Sequence, residues 1–151
     1  MADKKFQRTI TKWIRETKLS GTDVMRKVVL DGLRGVQLRS PVKTGRFRGS
    51  HRVGVNVRDL SVEPDLGPEG NLSEPFGSAP SGSELGKAGI ERLVAMKWGD
   101  TAHITNNLEY ARPLENGSSR QTGNQPDGIY GATAAELVAN IDRSIRSVRR
   151  S

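Results

Sequence analysis

Five cations crowd into fourteen residues, Arg39, Lys43, Arg46, Arg48 and Arg52 in the stretch RSPVKTGRFRGSHR. Guanidinium groups grip phosphate or carboxylate with two parallel hydrogen bonds. Gly45 and Gly49 let the chain turn sharply around Arg46, Phe47 and Arg48, which would project two guanidinium groups outward. Three uses fit such a cluster. It can face nucleic acid without reading its sequence, pair with acids of a neighbouring subunit such as Glu109 or Glu115, or simply be solvated.

The groups needed for catalysis are sparse. The two histidines are His51, whose basic neighbours should lower its pKa, and His103, in an apolar stretch with no carboxylate at local spacing. Nothing in the sequence sets a nucleophile beside a base and an oxyanion site. Asp127 and Asp142 lack a metal-site pattern, and the absence of cysteine excludes disulfides, thiolate catalysis and zinc–thiolate centres. The expectation is a protein that is not an enzyme and uses neither cofactor nor metal. No signal peptide or membrane span is expected from the apolar runs, which are too short.

The elements that must carry these residues follow from periodicity. Phe6, Ile10, Trp13, Ile14 and Thr17 recur at helical spacing, and Val24, Val28, Val29, Leu33 and Val36 continue after an interruption at Ser20-Gly21-Thr22. One long bent helix and two consecutive helices both fit, ending before Pro41. Gly32 and Gly35 suggest close packing against another backbone. Residues 51–57 alternate as a half-buried strand. Residues 92–98 and 102–106 are expected to form a hairpin about Gly99-Asp100, with Trp98 inside it. Residues 59–90 hold four Pro, six Gly and five Ser without periodicity, the composition of a protruding loop that orders on assembly. After turn chemistry over 116–128, residues 132–149 return to helical spacing and end in Arg143, Arg146 and Arg149. The expected fold is α+β, a single domain with N-terminal helices, a small mainly antiparallel sheet and a C-terminal helix packed on the sheet.

The bulk numbers point toward partners. Leu, Ile, Val and Phe supply 34 of 151 residues, close to the roughly 20% at which charged chains stay unfolded. Net charge is +7. Residues 1–57 carry 14 cations against 4 acids, 58–90 carry 2 against 6, and 91–151 carry 8 against 7. A thin core under a basic first third suits burial against copies of the chain or against an anionic neighbour.

Three stretches together carry a resemblance. They are SPVKTGRFRGSHRV (40–53), ITNNLEYARPLENGS (104–118) and PDGIYGATAAEL (126–137). In this order the chain resembles the tail-completion, or neck, proteins of long-tailed bacteriophages, often described as minor tail protein Z-like. The likeness spans most of 23–149 outside the long 59–90 segment. Lys43 stands where the family usually has an acid. The resemblance implies a structural virion protein at the head–tail junction, made in the bacterial host cytoplasm. It implies a homo-oligomeric ring, six copies to match the tail, contacting tail-terminator, tube or connector proteins, with genomic DNA in the lumen as a further neighbour. Pro41, Thr44, Gly45, Asn106, Tyr110, Ala111, Glu115 and Gly117 are then motif residues of structure or interface. Tyr110 would anchor a corner, and Glu115 would pair with Arg46 or Arg48. A sequence-independent nucleic-acid-binding module is the alternative that the basic third suggests.

Overall fold

The computed structural model describes residues 4–43, 45–67, 75–116 and 128–150. Helix α1 (Lys4–Leu38) has 35 residues and is about 52 Å long. The pattern's interruption at Ser20-Gly21-Thr22 does not break it, so of the two arrangements that fitted the sequence the single helix forms. A helical glycine costs about 1 kcal/mol relative to alanine, and packing offsets that cost here. Thr22 is buried, and the Trp98 indole lies so close to Gly21 that a β-carbon there would collide with it. Asp23 and Arg26 pair one turn apart at 2.9 Å. One continuous helix is therefore the arrangement adopted.

Strands β1 (His51–Val55) and β2 (Ala102–Asn106) pair antiparallel, His51 opposite Asn106 and Val55 opposite Ala102. The strand expected over 51–57 stops two residues early. Asn56 takes a φ of 63°, and the chain folds back until the Val57 carbonyl covers Gly54. Asparagine tolerates this left-handed conformation better than most residues. Its side chain bonds Asp100 Oδ1 and the Thr101 amide, each at 3.0 Å, and so closes the end of the ladder.

The strand expected over 92–98 does not form, and neither does its hairpin. Helix α2 (Arg46–Gly49) leads into β1, and helix α3 (Gly82–Ala88) leads through Gly89 into a 3-10 turn, Ile90–Leu93. The alternation from Arg92 onward concealed a spacing of three: Leu93 and Met96 are buried, whereas Val94 and Trp98 are exposed. Arg26 on α1 donates to the carbonyls of Leu93, Val94 and Met96 at 2.8, 3.0 and 2.7 Å. Those backbone acceptors are thereby satisfied without a neighbouring strand.

The segment 59–90 was expected to lack regular structure, yet it holds α3, whose Ser81 and Glu84 form a capping box. Its first residues cross the sheet. Thr105 and Asn107 donate to the Asp59 carbonyl at 2.8 and 2.9 Å. Residues 68–74, at the middle of the expected protruding loop, lie outside the described residues.

Helix α4 (Ala111–Glu115) precedes α5 (Ile129–Arg149), which starts three residues before the expected Ala132. Gly35 lies against Thr133 and Gly32 against Leu137, so the two glycines do allow close helix packing. The fold is α+β, with the C-terminal helix packed on α1 and the small sheet. Leu33, Val36, Phe47, Val53, Ala88, Leu93, Met96, Leu108 and Ile129 form the core. Among the described residues, ten polar or charged side chains are as deeply buried as these nine, so hydrogen bonds and ion pairs decide whether the interior holds. Among the described residues no helix is long and apolar enough to cross a membrane.

Candidate functional site

The cationic cluster is largely turned inward. Arg48 is fully buried, and its Nε and Nη2 meet the Glu84 carboxylate at 2.7 and 3.3 Å. Its remaining donors reach the carbonyls of Pro75 and Ser78 at 3.1 and 3.0 Å. Glu84 also accepts the Ser81 amide at 2.9 Å, so one carboxylate both caps α3 and neutralises α2. Arg52 pairs with Glu63, which Lys87 joins at 2.5 Å. Arg46 donates to the Glu63 carbonyl at 3.0 and 2.9 Å. Arg39 bonds Glu136 at 2.5 Å and Thr133 at 3.2 Å across to α5. Lys43 alone of the five is exposed. The outward guanidinium groups expected of Arg46 and Arg48 are thus corrected: Arg48 is buried on Glu84 and Arg46 is half-buried on the Glu63 carbonyl, and Arg52 is buried as well. Burying a guanidinium without a partner costs several kcal/mol, and acids from the 59–90 segment supply the partners.

A second polar tie joins three elements. Ser40, just past α1, donates its hydroxyl proton to the Val36 carbonyl at 2.6 Å. Its oxygen therefore accepts from His51 Nε2 at 2.7 Å, which leaves Nδ1 to accept from the Tyr130 hydroxyl, also at 2.7 Å. His51 is fully buried in β1. Burial first, then the nearby Arg52 and Arg48 charges, lower its pKa to about 3. Burial, helped by Glu115, pushes the Tyr130 hydroxyl well above the usual phenol range. The histidine is neutral and both hydroxyls keep their protons.

A serine beside a histidine invites comparison with an acyl-transfer site, and the geometry argues against it. Ser40 and His51 are inaccessible, and the third member is a neutral phenol where an orienting carboxylate would stabilise imidazolium. Their chemistry is to hold α1, β1 and α5 together. Gln37, one turn earlier on α1, is buried with neither amide atom hydrogen-bonded among the described residues, an unfavourable arrangement that the fold tolerates.

The motif residues interlock. Glu115 does not pair with Arg46 or Arg48. Its carboxylate accepts the amides of Ile129, Tyr130 and Gly131 at 2.8, 2.8 and 2.9 Å, which caps α5 from a distance and sets a negative charge at its positive end. Gly128 is required there, because its φ is 70° and any β-carbon would strike Glu115. Asn106 ends β2, donating to the Phe47 carbonyl at 2.9 Å and accepting the Leu108 amide at 3.2 Å. Tyr110 precedes α4 and packs on Phe47 at 6.2 Å, with Arg46 hydrogen-bonding it and burial raising its pKa. Ala111 packs on the core, Pro41 is buried, and Gly45 caps α2. Thr44, Gly117 and Asp127 lie outside the described residues, as does the Trp13 side chain. His103 is half-buried opposite Gly54, and Asp142 is exposed. No group of three potential metal ligands occurs among the described residues.

The remaining surface of interest is the first half of α1. Gly32, Gly35 and Val28 lie on the side facing α5. At helical spacing the same stripe runs on toward the N-terminus through Gly21 to Ile14 and Ile10, which are 41% and 40% exposed. Trp98, half-exposed over Gly21, and Ile14 line one shallow apolar groove. The sequence pattern showed the Ile10 and Ile14 stripe, but placed Trp98 inside a hairpin and not beside that stripe. The Gly21 seat for the ring leaves no mark beyond the glycine itself.

Against family models, curated proteins and solved structures, the chain has no match.

Proposed function

We propose that the chain is a structural virion protein of a long-tailed phage. It would act at the head–tail junction as one subunit of a ring, six copies to match the tail, completing the tail end and joining it to the filled head. The observation that carries this proposal is the meeting of the three stretches that resemble neck proteins. Ser40 and His51 of the first meet Tyr130 of the third, Asn106 of the second bonds Phe47 of the first, and Glu115 of the second caps the helix of the third. Residues so interlocked define a scaffold, and their spacing is what such a scaffold would constrain.

Function would then lie in surfaces that the scaffold leaves uncovered. The apolar stripe of α1 runs past the region α5 covers, and a neighbouring subunit or a tail-terminator, tube or connector protein would bury Ile10 and Ile14 there. The work is assembly by non-covalent docking, in the virion, after synthesis in the bacterial cytoplasm. Electron microscopy of particles assembled without this protein tests the proposal. Full heads and finished tails that fail to join are expected, and normal infectious particles would refute it.

A further inference from the structure

The excess positive charge is not spread over the protein. Lys4, Lys5, Arg8, Lys12, Arg15 and Lys18 lie in the first half of α1 with Glu16 as the only acid, and Arg143, Arg146, Arg149 and Arg150 finish the chain's last helix beside Asp142. With Asp3 just before α1, these ends hold 10 of 24 cations and 3 of 17 acids. The rest of the chain keeps 14 cations and 14 acids, and is neutral. Several of the body's cations have acids of their own: Arg48 with Glu84, Arg52 and Lys87 with Glu63, Arg92 with Asp59, and Arg39 with Glu136.

Both charged ends belong to one pole. Arg39 of α1 meets Glu136, Gly32 meets Leu137, and Lys27 and Asp31 share a groove with Arg143, Ser144 and Ser147. Numbers rise along α5 as they fall along α1, so the helices are antiparallel. The basic end of α5 therefore points the same way as the N-terminal half of α1. There Lys4, Arg8, Lys12 and Arg15 are exposed and line one shallow surface with Gln7 and Thr11. Steps of four, four and three residues set these cations about 4.5 to 6 Å apart along the helix axis, within roughly 80° of its circumference. Lys12 makes one long, exposed pair with Glu16 at 3.8 Å. Arg8 and Lys12 point away from Ile10 and Ile14, whereas Thr11 and Arg15 border the groove that Ile14 lines with Trp98, so apolar docking leaves the Lys4 to Lys12 part of the row open.

We propose that this pole binds the phosphate backbone of double-stranded DNA without reading its sequence. A regular row of cations suits a regular row of charges, and duplex DNA carries one charge per roughly 1.7 Å of axis. Gln7 and Thr11, between the cations, can hydrogen-bond phosphate oxygens. The site is distinct from Arg39, Lys43, Arg46, Arg48 and Arg52, and the inference stands whether or not the chain works in a phage neck.

Fluorescence anisotropy of the full chain with two labelled duplexes of unrelated sequence is the test. Equal affinities are expected, weakening about 100-fold between 50 and 200 mM salt for four phosphate contacts. The triple variant Arg8→Glu, Lys12→Glu, Arg15→Glu should bind on the order of 100-fold more weakly at 50 mM salt. The variant Arg143→Gln, Arg146→Gln should also weaken binding, with α1 left intact. A control of matched charge, Lys43→Glu, Arg58→Glu, Arg112→Glu, should change affinity less than threefold. Absence of binding at 50 mM salt, equal loss in the control, or a strong preference for one duplex overturns the proposal. Competition by polyglutamate as effective as by DNA at equal charge also overturns it, in favour of an acidic protein partner.

Discussion

The body of this protein and the first half of α1 treat charge in opposite ways. In the body, Arg48 and Glu84 are shut away together, Glu63 holds Arg52 and Lys87, and Glu115 holds three backbone amides. Along α1 before Gly21, Lys4, Arg8, Lys12 and Arg15 stand in solvent, and Ile10 and Ile14 are exposed on a neighbouring face. The lesson is that a dense basic motif need not be a binding surface. Where acids lie within reach in the fold, cations are consumed as structure, and the cations left over mark where the protein meets others.

The comparison breaks most severely if Glu84 can be removed at little cost. Glu84→Ala leaves Arg48 buried without its carboxylate and removes the α3 cap, so a loss of about 3 to 5 kcal/mol is expected in urea unfolding. A paired replacement, Arg48→Met with Glu84→Leu, should regain most of it. A loss below 1 kcal/mol for Glu84→Ala would mean the ion pair does not organise the body.

Acid should act on the same region. The folded His51 pKa lies near 3 and the unfolded value near 6.5, so between these values only the unfolded chain takes up the proton. Stability from this group is complete above about pH 6.5 and falls as pH drops, by roughly 2 to 3 kcal/mol at pH 4.5. Thermal melts of the wild type against His51→Gln should show a shallower acid slope in the variant. Parallel slopes would contradict a neutral buried histidine.

Smaller effects sharpen the contrast. Glu115→Ala uncaps α5 and should cost about 1 to 2 kcal/mol; an unchanged melting temperature would remove the long-range cap from the account. Lys43→Glu, in the same motif as Arg48 but exposed, should stay within about 0.5 kcal/mol of wild type. If Lys43→Glu destabilised as much as Glu84→Ala, the division of the motif into buried and exposed members would fail.

Much of the frame was legible in the sequence. The 3.6-residue pattern gave both long helices, Pro41 marked the end of the first, and residues 102–106 read correctly as a strand. Gly32 and Gly35 announced close helix packing. What escaped depended on partners distant in sequence. The spacing from Arg92 fitted alternation as well as a spacing of three, and only Arg26, far upstream, favours the 3-10 turn by satisfying its carbonyls. Asn56 ends β1 by a left-handed turn that alternation does not encode. The Ser81-x-x-Glu84 signature of a capping box was present within the segment expected to be structureless. That Glu84 also neutralises Arg48, 36 residues away, was not readable from either residue. The same holds for Glu115, whose partners proved to be backbone amides of α5.

Hydrogen–deuterium exchange on the dilute, free protein tests the division between body and arm most directly. Amides of residues 26–37, 51–55 and 102–106 should be strongly protected. Those of residues 4–18, whose described side chains are all exposed, should exchange far faster, because so short a helix is marginal in water. Adding duplex DNA should slow them. Protection of residues 4–18 equal to that of residues 26–37 in a dilute monomer would contradict an arm left open for partners.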